Sequence, residues 1–216
     1  MIGNERIESY IFSLEQELPD FLAEIEKVAL AEHVPIIKKP TQSLLRFLMN
    51  NNQPKKILEV GTAVGFSSLL MTEYMPKDCV ITTIERNEGR IAKAKRNIAN
   101  AGRGDQIKLL EGDATDILTT LVEQGETYDF IFMDAAKGQY INFFDNIMKL
   151  LVTGGLLVSD NVLQDGDVTE SRYGVIRRNR TIHSRMREYL YTLTHREELS
   201  SIVLPIGDGV TLSHKL

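Results

Sequence analysis

The sequence has a single cysteine, Cys79, among its 216 residues. No internal disulfide can form and no CxxC pair exists to hold zinc, so Cys79 is expected as a small apolar filler and redox chemistry is disfavoured. Long apolar runs are also missing. None approaches the roughly 20 residues that a membrane span requires, and Met1 to Tyr10 lacks the charged-then-apolar order of a secretion signal. A cytoplasmic location is the expectation. There is no basic surplus, with 25 Lys and Arg set against 30 Asp and Glu for a formal charge of −5. That argues against a surface basic throughout, while a local basic patch stays compatible with nucleic acid. Repeats, low-complexity tracts and linkers are absent. With 43% hydrophobic residues the chain can bury one core, and one domain over 1–216 is expected, with a helical part at 1–53 and a sheet-bearing part at 54–216.

The first fifty residues carry apolar positions at helical spacing: Ile7, Ile11 and Leu14, then Phe21, Leu22, Ile25, Val28 and Ala29. Each set is expected to form one buried face. Asp20 reads as the N-cap of the second helix. Pro40-Thr41 opens a third over 43–49, which is expected to end in the turn-like Asn50-Asn51-Asn52. From Pro54 onward, short runs rich in Val and Ile alternate with helical stretches, the pattern of a parallel sheet covered on both faces. The expected strands are 56–60, 79–85, 107–111, 128–134 and 156–160. A closing pair at 201–205 and 209–213 reads as an antiparallel hairpin. Among the helices, one runs from Phe66 to Tyr74 and another starts at the N-cap Asn87 and stops at Gly102.

Chemistry is expected at the strand ends. Gly61-Thr62-Ala63-Val64-Gly65 follows the first strand and enters a helix, placing glycines where backbone must approach a ligand. The spacing is not the dinucleotide GxGxxG, and a tight turn for packing is the plainer alternative. Glu85 ends the second strand, where a carboxylate can accept both hydroxyls of a ribose; a solvated Glu85 is the plainer reading. Glu111-Gly112-Asp113-Ala114 ends the third, with small residues leaving room for a flat ring and a carboxylate for an amine. Motifs at three successive strand ends converge on one crevice, which outlines an adenosine pocket. Asp134 ends the fourth strand and Asp160-Asn161 the fifth. Two carboxylates and an amide, without histidine or thiolate, suit Mg²⁺, Mn²⁺ or Ca²⁺. Lys137 can reach the same place and accept a proton from a bound hydroxyl.

At these residues the chain resembles the metal-dependent class I S-adenosylmethionine O-methyltransferases related to catechol and caffeoyl-CoA O-methyltransferases. The resemblance runs over nearly the whole chain. It implies an α/β, Rossmann-like fold with a mostly parallel seven-stranded sheet, a C-terminal antiparallel hairpin and extra N-terminal helices. It implies cofactor contacts at Ile37, Gly61, Thr62, Val64, Gly65, Ser67, Glu85, Arg86, Gly112, Asp113, Ala114 and Asp134. Metal ligands are implied at Asp134, Asp160 and Asn161, catalytic roles at Lys137 and Asp134, and a homodimer as the assembly. In detail the chain is similar to the bacterial tRNA 5-hydroxyuridine methyltransferases, through Val34-Pro35-Ile36, 54–59, 83–88, 134–140, Asn142-Phe143-Phe144 and 205–209.

That substrate is chemically consistent with the ligand set, because the 5-hydroxyl neighbours O4 much as the two oxygens of a catechol adjoin. The choice between them must come from outside the metal centre. Arg172, Arg177, Arg178, Arg180, Arg185 and Arg187 can hold anticodon-loop phosphates, with Arg177, Arg178, Arg180 and Arg185 the foremost candidates and Lys38 and Lys39 as an extension. An arginine-rich helix pairing with Glu170 and Glu188 is the plainer alternative. Gln164-Asp165-Gly166-Asp167 departs from the related pattern and sets acids beside this path. Two rivals stay open, a small-molecule enzyme acting on catechols and a methyltransferase-fold protein that binds without catalysis.

Overall fold

A computed structural model describes residues 5–171 and 173–216. Three helices come first: α1 (Glu5–Ser13), α2 (Asp20–Ala31) and α3 (Lys39–Asn52). Strands and helices then alternate through β1 (Lys56–Val60), α4 (Phe66–Tyr74), β2 (Val80–Glu85), α5 (Glu88–Asn100), β3 (Ile107–Glu111), α6 (Ala114–Glu123), β4 (Tyr128–Met133), α7 (Tyr140–Leu150) and β5 (Leu151–Ser159). After α8 (Arg180–His195), β6 (Leu199–Leu204) and β7 (Val210–Lys215) close the chain. The sheet order is β3-β2-β1-β4-β5-β7-β6. The first five strands pair in parallel, while β7 runs antiparallel to both β5 and β6. This is the Rossmann-like class I arrangement. The winding reverses between β1 and β4, which opens a crevice at their carboxyl ends.

Alternation along each strand explains why both sheet faces are dry. Ile57, Phe130, Phe132 and Val158 face a cluster under α2, α3 and α4. Leu58, Val60, Ile131, Met133 and Leu157 face the opposite one under α6, α7 and α8. Each fully buried large apolar side chain contributes about 1.5–3 kcal/mol. Cys79 is buried and free, as a filler should be, and burial pushes its thiol up to about 12.

Several local expectations need correction. Ile7, Ile11 and Leu14 are exposed at 48%, 45% and 64%, and Val28 is exposed too. Spacing identifies an apolar stripe on each helix but not what it faces. Asp20 is the first residue inside α2; Pro19 occupies the N-cap without a side-chain bond. The helix α3 runs through all three asparagines and is stopped by left-handed Gln53, at φ 47°. Cys79 precedes β2, Asp134 and Asp160 lie one residue past β4 and β5, and β5 begins five residues early, at Leu151. In contrast, Asn87 caps α5 as expected, accepting from Arg90 N at 3.0 Å. No helix of the described residues is long and apolar enough to cross a membrane.

Candidate active site

A cavity of about 450 Å³ opens at the carboxyl ends of the parallel strands. Gly61 and Ala63 reach it from the β1 turn, Ile84, Glu85 and Arg86 from β2, and Gly112, Asp113, Ala114 and Thr115 from β3. Asp134 and Lys137 enter past β4, with Asn161 and Pro35 on the far side. The Glu85 carboxylate joins two of these turns. One oxygen accepts from Arg86 N and Asn87 N, the other from Ala63 N, each at 2.9 Å. Asp113 is the N-cap of α6, accepting from Thr115 N at 2.9 Å, with Arg86 at 3.2 Å. Its hydrogen bonding to Thr115 holds its carboxyl below the usual range, helped by Arg86. Glu111 turns outward to Lys95 at 2.6 Å.

Ile37, Thr62, Val64, Gly65 and Ser67 are not in the lining. Ser67 Oγ donates to buried Glu59 at 2.5 Å, and Thr62 Oγ1 lies 2.6 Å from Thr83 Oγ1. The carbonyls of Val64 and Ile37 accept from the side chains of Asn97 and Gln42. Gly65, at φ 83°, opens α4. Arg90, Phe143, Gln139 and Ala136 also line the cavity; the last three lie in stretches that carry the family resemblance, yet no local signal gives any of the four a role in the site. Arg90 is placed by the first turn of α5, whose cap Asn87 is legible, but nothing local shows its side chain turning toward Asp134.

The acids gather as the strand order dictates, since β4 and β5 are neighbours. Burial, followed by the charges of Asp160 and Glu59, pushes the Asp134 carboxyl up to about 7, against the pull of Lys137 and Arg90. Burial likewise raises Asp160 to about 6, opposed by its bond from Asn161 N and by Lys137. Asp160 is 1% exposed, with Thr41 Oγ1 at 3.4 Å. The buried hydroxyl of Tyr140 points at two carbonyls, Met133 O at 3.1 Å and Asp160 O at 3.0 Å, and so ties the two strand ends together.

No three His, Cys, Asp or Glu side chains that could hold a metal gather among the described residues. The candidate set here mixes two acids with the amide of Asn161, all oxygen donors. Buried Asp160 and half-buried Asp134, both raised by loss of solvent and Asp134 further by the charge of Asp160, fit a site that becomes favourable when a hard divalent cation enters.

The O-methyltransferase family profile matches residues 12–216. The chain belongs to the O-methyltransferase family. It is 37% identical over 169 residues to the catechol O-methyltransferase of Niastella koreensis, covering 77% of this chain and 76% of that one. It is 31% identical to caffeoyl-CoA O-methyltransferase 2 of Populus trichocarpa, over 80% and 71% of the two chains. Among solved structures, the O-methyltransferase TomG of Streptomyces achromogenes, in complex with S-adenosylmethionine, superposes with a TM-score of 0.84 at 28% identity, covering 100% and 99%. As a family member the chain is an S-adenosylmethionine-dependent O-methyltransferase.

In this O-methyltransferase the basic cluster divides into two groups. Arg177 and Arg178 are exposed. Arg180 bonds Val175 O at 3.3 Å and Tyr173 O at 3.4 Å, and Arg185 bonds Gly138 O at 3.0 Å. Arg187 bonds Val168 O at 3.1 Å. The last three therefore fasten loops, of which the one at Gly138, between the lining residues Lys137 and Gln139, belongs to the cavity. Lys38 pairs with Asp208 and Lys39 with Glu26, which occupies both lysines of the expected extension. Arg172 lies outside the described residues.

Proposed function

We propose that this O-methyltransferase takes Mg²⁺, with Mn²⁺ or Ca²⁺ as substitutes, at Asp134, Asp160 and Asn161, and methylates 5-hydroxyuridine at the tRNA wobble position to 5-methoxyuridine. The observation that carries this reading is the grouping of the buried Asp160 carboxyl, the half-buried Asp134 carboxyl and the Asn161 amide at the ends of β4 and β5, beside the cavity. When bound, the ion supplies positive charge that acidifies a hydroxyl and engages an adjacent oxygen, a pair that 5-hydroxyuridine presents as O5 and O4.

The chain's own residues supply alignment and proton transfer. Gly61 and Ala63 would admit the donor close to backbone, Glu85 would take its ribose hydroxyls, and Gly112 and Ala114 would leave room for its adenine. The acceptor oxygen displaces sulfur in line, so that the methyl carbon–sulfur bond breaks as the oxygen–carbon bond forms, leaving S-adenosylhomocysteine. In its neutral amine form Lys137 Nζ is the proposed acceptor of the substrate proton.

RNA as acceptor is supported by exposed Arg177 and Arg178 and by Tyr173, which is 84% exposed with the Arg180 guanidinium 5.8 Å from its ring centre. Such a ring offers a stacking platform for an unpaired base. The second reading, methylation of small catechol-like diols, is favoured by the name of the Niastella relative and needs no basic surface. A cytoplasmic location goes with the tRNA reading. For assembly, a second copy would cover Tyr10, Ile11, Phe12 and Leu14 of the α1 region, which are 45–66% exposed; sedimentation at micromolar concentration tests this.

Mass spectrometry of tRNA nucleosides from cells lacking the protein tests the substrate. Accumulated 5-hydroxyuridine with lost 5-methoxyuridine is the expected result. An unchanged profile, together with turnover of free catechol by the pure protein, overturns it in favour of the small-molecule reading.

A further inference from the structure

The turn between β6 and β7 does not line the cavity, yet it is locked against the residues that follow β5. Val162 N donates to Gly209 O at 3.0 Å and Leu163 N to Asp208 O at 2.9 Å. Gly209, at φ 88°, comes so close that a Cβ there would stand 2.3 Å from Leu163 Cγ. Asn161 itself is held at φ 58°, a left-handed conformation that costs a non-glycine residue about 1–2 kcal/mol and persists where its surroundings enforce it. Its side chain is held by Asp208: Asn161 Nδ2 donates to Asp208 Oδ2 at 3.2 Å. The other carboxylate oxygen of Asp208 takes the ammonium of Lys38, which immediately precedes α3.

A side-chain amide whose nitrogen is held by a carboxylate has little orientational freedom left, because its carbonyl oxygen must point away from that carboxylate. We infer that Asp208 is a positioning residue that turns the carbonyl oxygen of Asn161 toward the cation, with Lys38 fixing Asp208 in that pose. Partners of this kind orient ligands without touching the metal, and their removal typically weakens binding about 10- to 100-fold. The device joins chain segments far apart in sequence, so that the lead into α3, the end of β5 and the β6–β7 turn close on one amide.

The inference rests on the proposed cation site, and the test separates the two. Mn²⁺ affinity is measured by the resonance of free Mn²⁺, S-adenosylmethionine affinity by calorimetry without metal, and thermal midpoints alongside. Asp208→Ala is expected to weaken Mn²⁺ at least tenfold. Asp208→Asn, which keeps an acceptor oxygen, is expected to stay within about threefold of wild type, and both are expected to leave S-adenosylmethionine affinity unchanged. Should Asp208→Ala not fold, Asp208→Ser, too short to reach the amide, carries the same expectation. Mn²⁺ binding within twofold of wild type in the Ala variant, equal losses in Ala and Asn, or a parallel loss of S-adenosylmethionine binding overturns the role of Asp208. A wild-type protein that binds no Mn²⁺ overturns the cation site itself.

Discussion

Gly61 passes directly under the carbonyl of Asp134: a Cβ built on Gly61 would lie 2.0 Å from that oxygen and 2.8 Å from its carbon. The turn that opens the cofactor cavity and the strand end that carries the first candidate ligand thus touch through their backbones. Gly61 also has φ 111°, a value few residues with a side chain adopt. Gly61→Ala must push these strand ends apart. It is expected to lower S-adenosylmethionine affinity by about two orders of magnitude and to lower the thermal midpoint. At Gly65 the nearest atom to a Cβ is 3.7 Å away, so Gly65→Ala meets only the left-handed strain of about 1–2 kcal/mol. Calorimetric titration of both variants decides the matter, and equal affinities would remove the argument.

That close approach also marks where sequence stops being legible. The strands 56–60 and 107–111 and the helix 66–74 are readable to the residue, because uninterrupted apolar runs and flanking Gly or Asn signals are local. The start of β5 is hidden, since exposed Thr153 and Gly154 break its apolar run. Tyr140 and Asp208 lie in stretches that carry the family resemblance, yet nothing local gives either a role. Their partners are Met133, Asp160 and Asn161, brought to them by the sheet order rather than by spacing. Ser67 illustrates the reverse: its place in the helix after the glycine turn is clear, but its hydroxyl serves Glu59.

Glu59 itself is fully buried and accepts from the hydroxyls of Ser67, Ser68 and Thr83. Burial raises its carboxyl above the ordinary range. Glu59→Ala strands the buried hydroxyls of Ser67 and Ser68, leaves Thr83 only its partner Thr62, opens a cavity, and is expected to cost roughly 2–5 kcal/mol. Glu59→Gln keeps the shape and one carbonyl acceptor and should be less destabilised by at least about 1 kcal/mol. Urea denaturation of both variants checks the ordering.

The raised carboxyls fix the sign of a pH effect. Asp134 rises to about 7 and Asp160 to about 6, both from 3.8. At these two carboxyls the folded protein therefore holds more protons than the unfolded chain over that window, and their contribution to metal-free stability falls as pH climbs from about 4 through 7. A cation that replaces those protons binds better as pH rises. The thermal shift given by Mg²⁺ is expected to grow between about pH 5 and pH 8, and Asp134→Asn should flatten both trends. Scanning fluorimetry with Mg²⁺ or chelator measures this; a variant that follows the wild-type curves would count against it.

Arg185 and the pair Arg177 and Arg178 should fail in different ways. The Arg185 guanidinium bonds the carbonyl of Gly138, next to Lys137, so it acts on the loop that carries the proposed proton acceptor. Arg185→Ala is expected to lower kcat about tenfold while tRNA affinity stays within about twofold. Among the described residues, Arg177 and Arg178 make no such tie and stand exposed. Replacing both with Ala should weaken tRNA binding evenly across sequences and reduce the dependence of log affinity on log salt by about 1 for each phosphate left without its arginine. Filter binding at several salt concentrations, paired with single-turnover methyl transfer, separates these outcomes. If the double variant keeps its salt slope and Arg185→Ala alone weakens RNA, the phosphate path runs over α8 and the Lys137 loop instead.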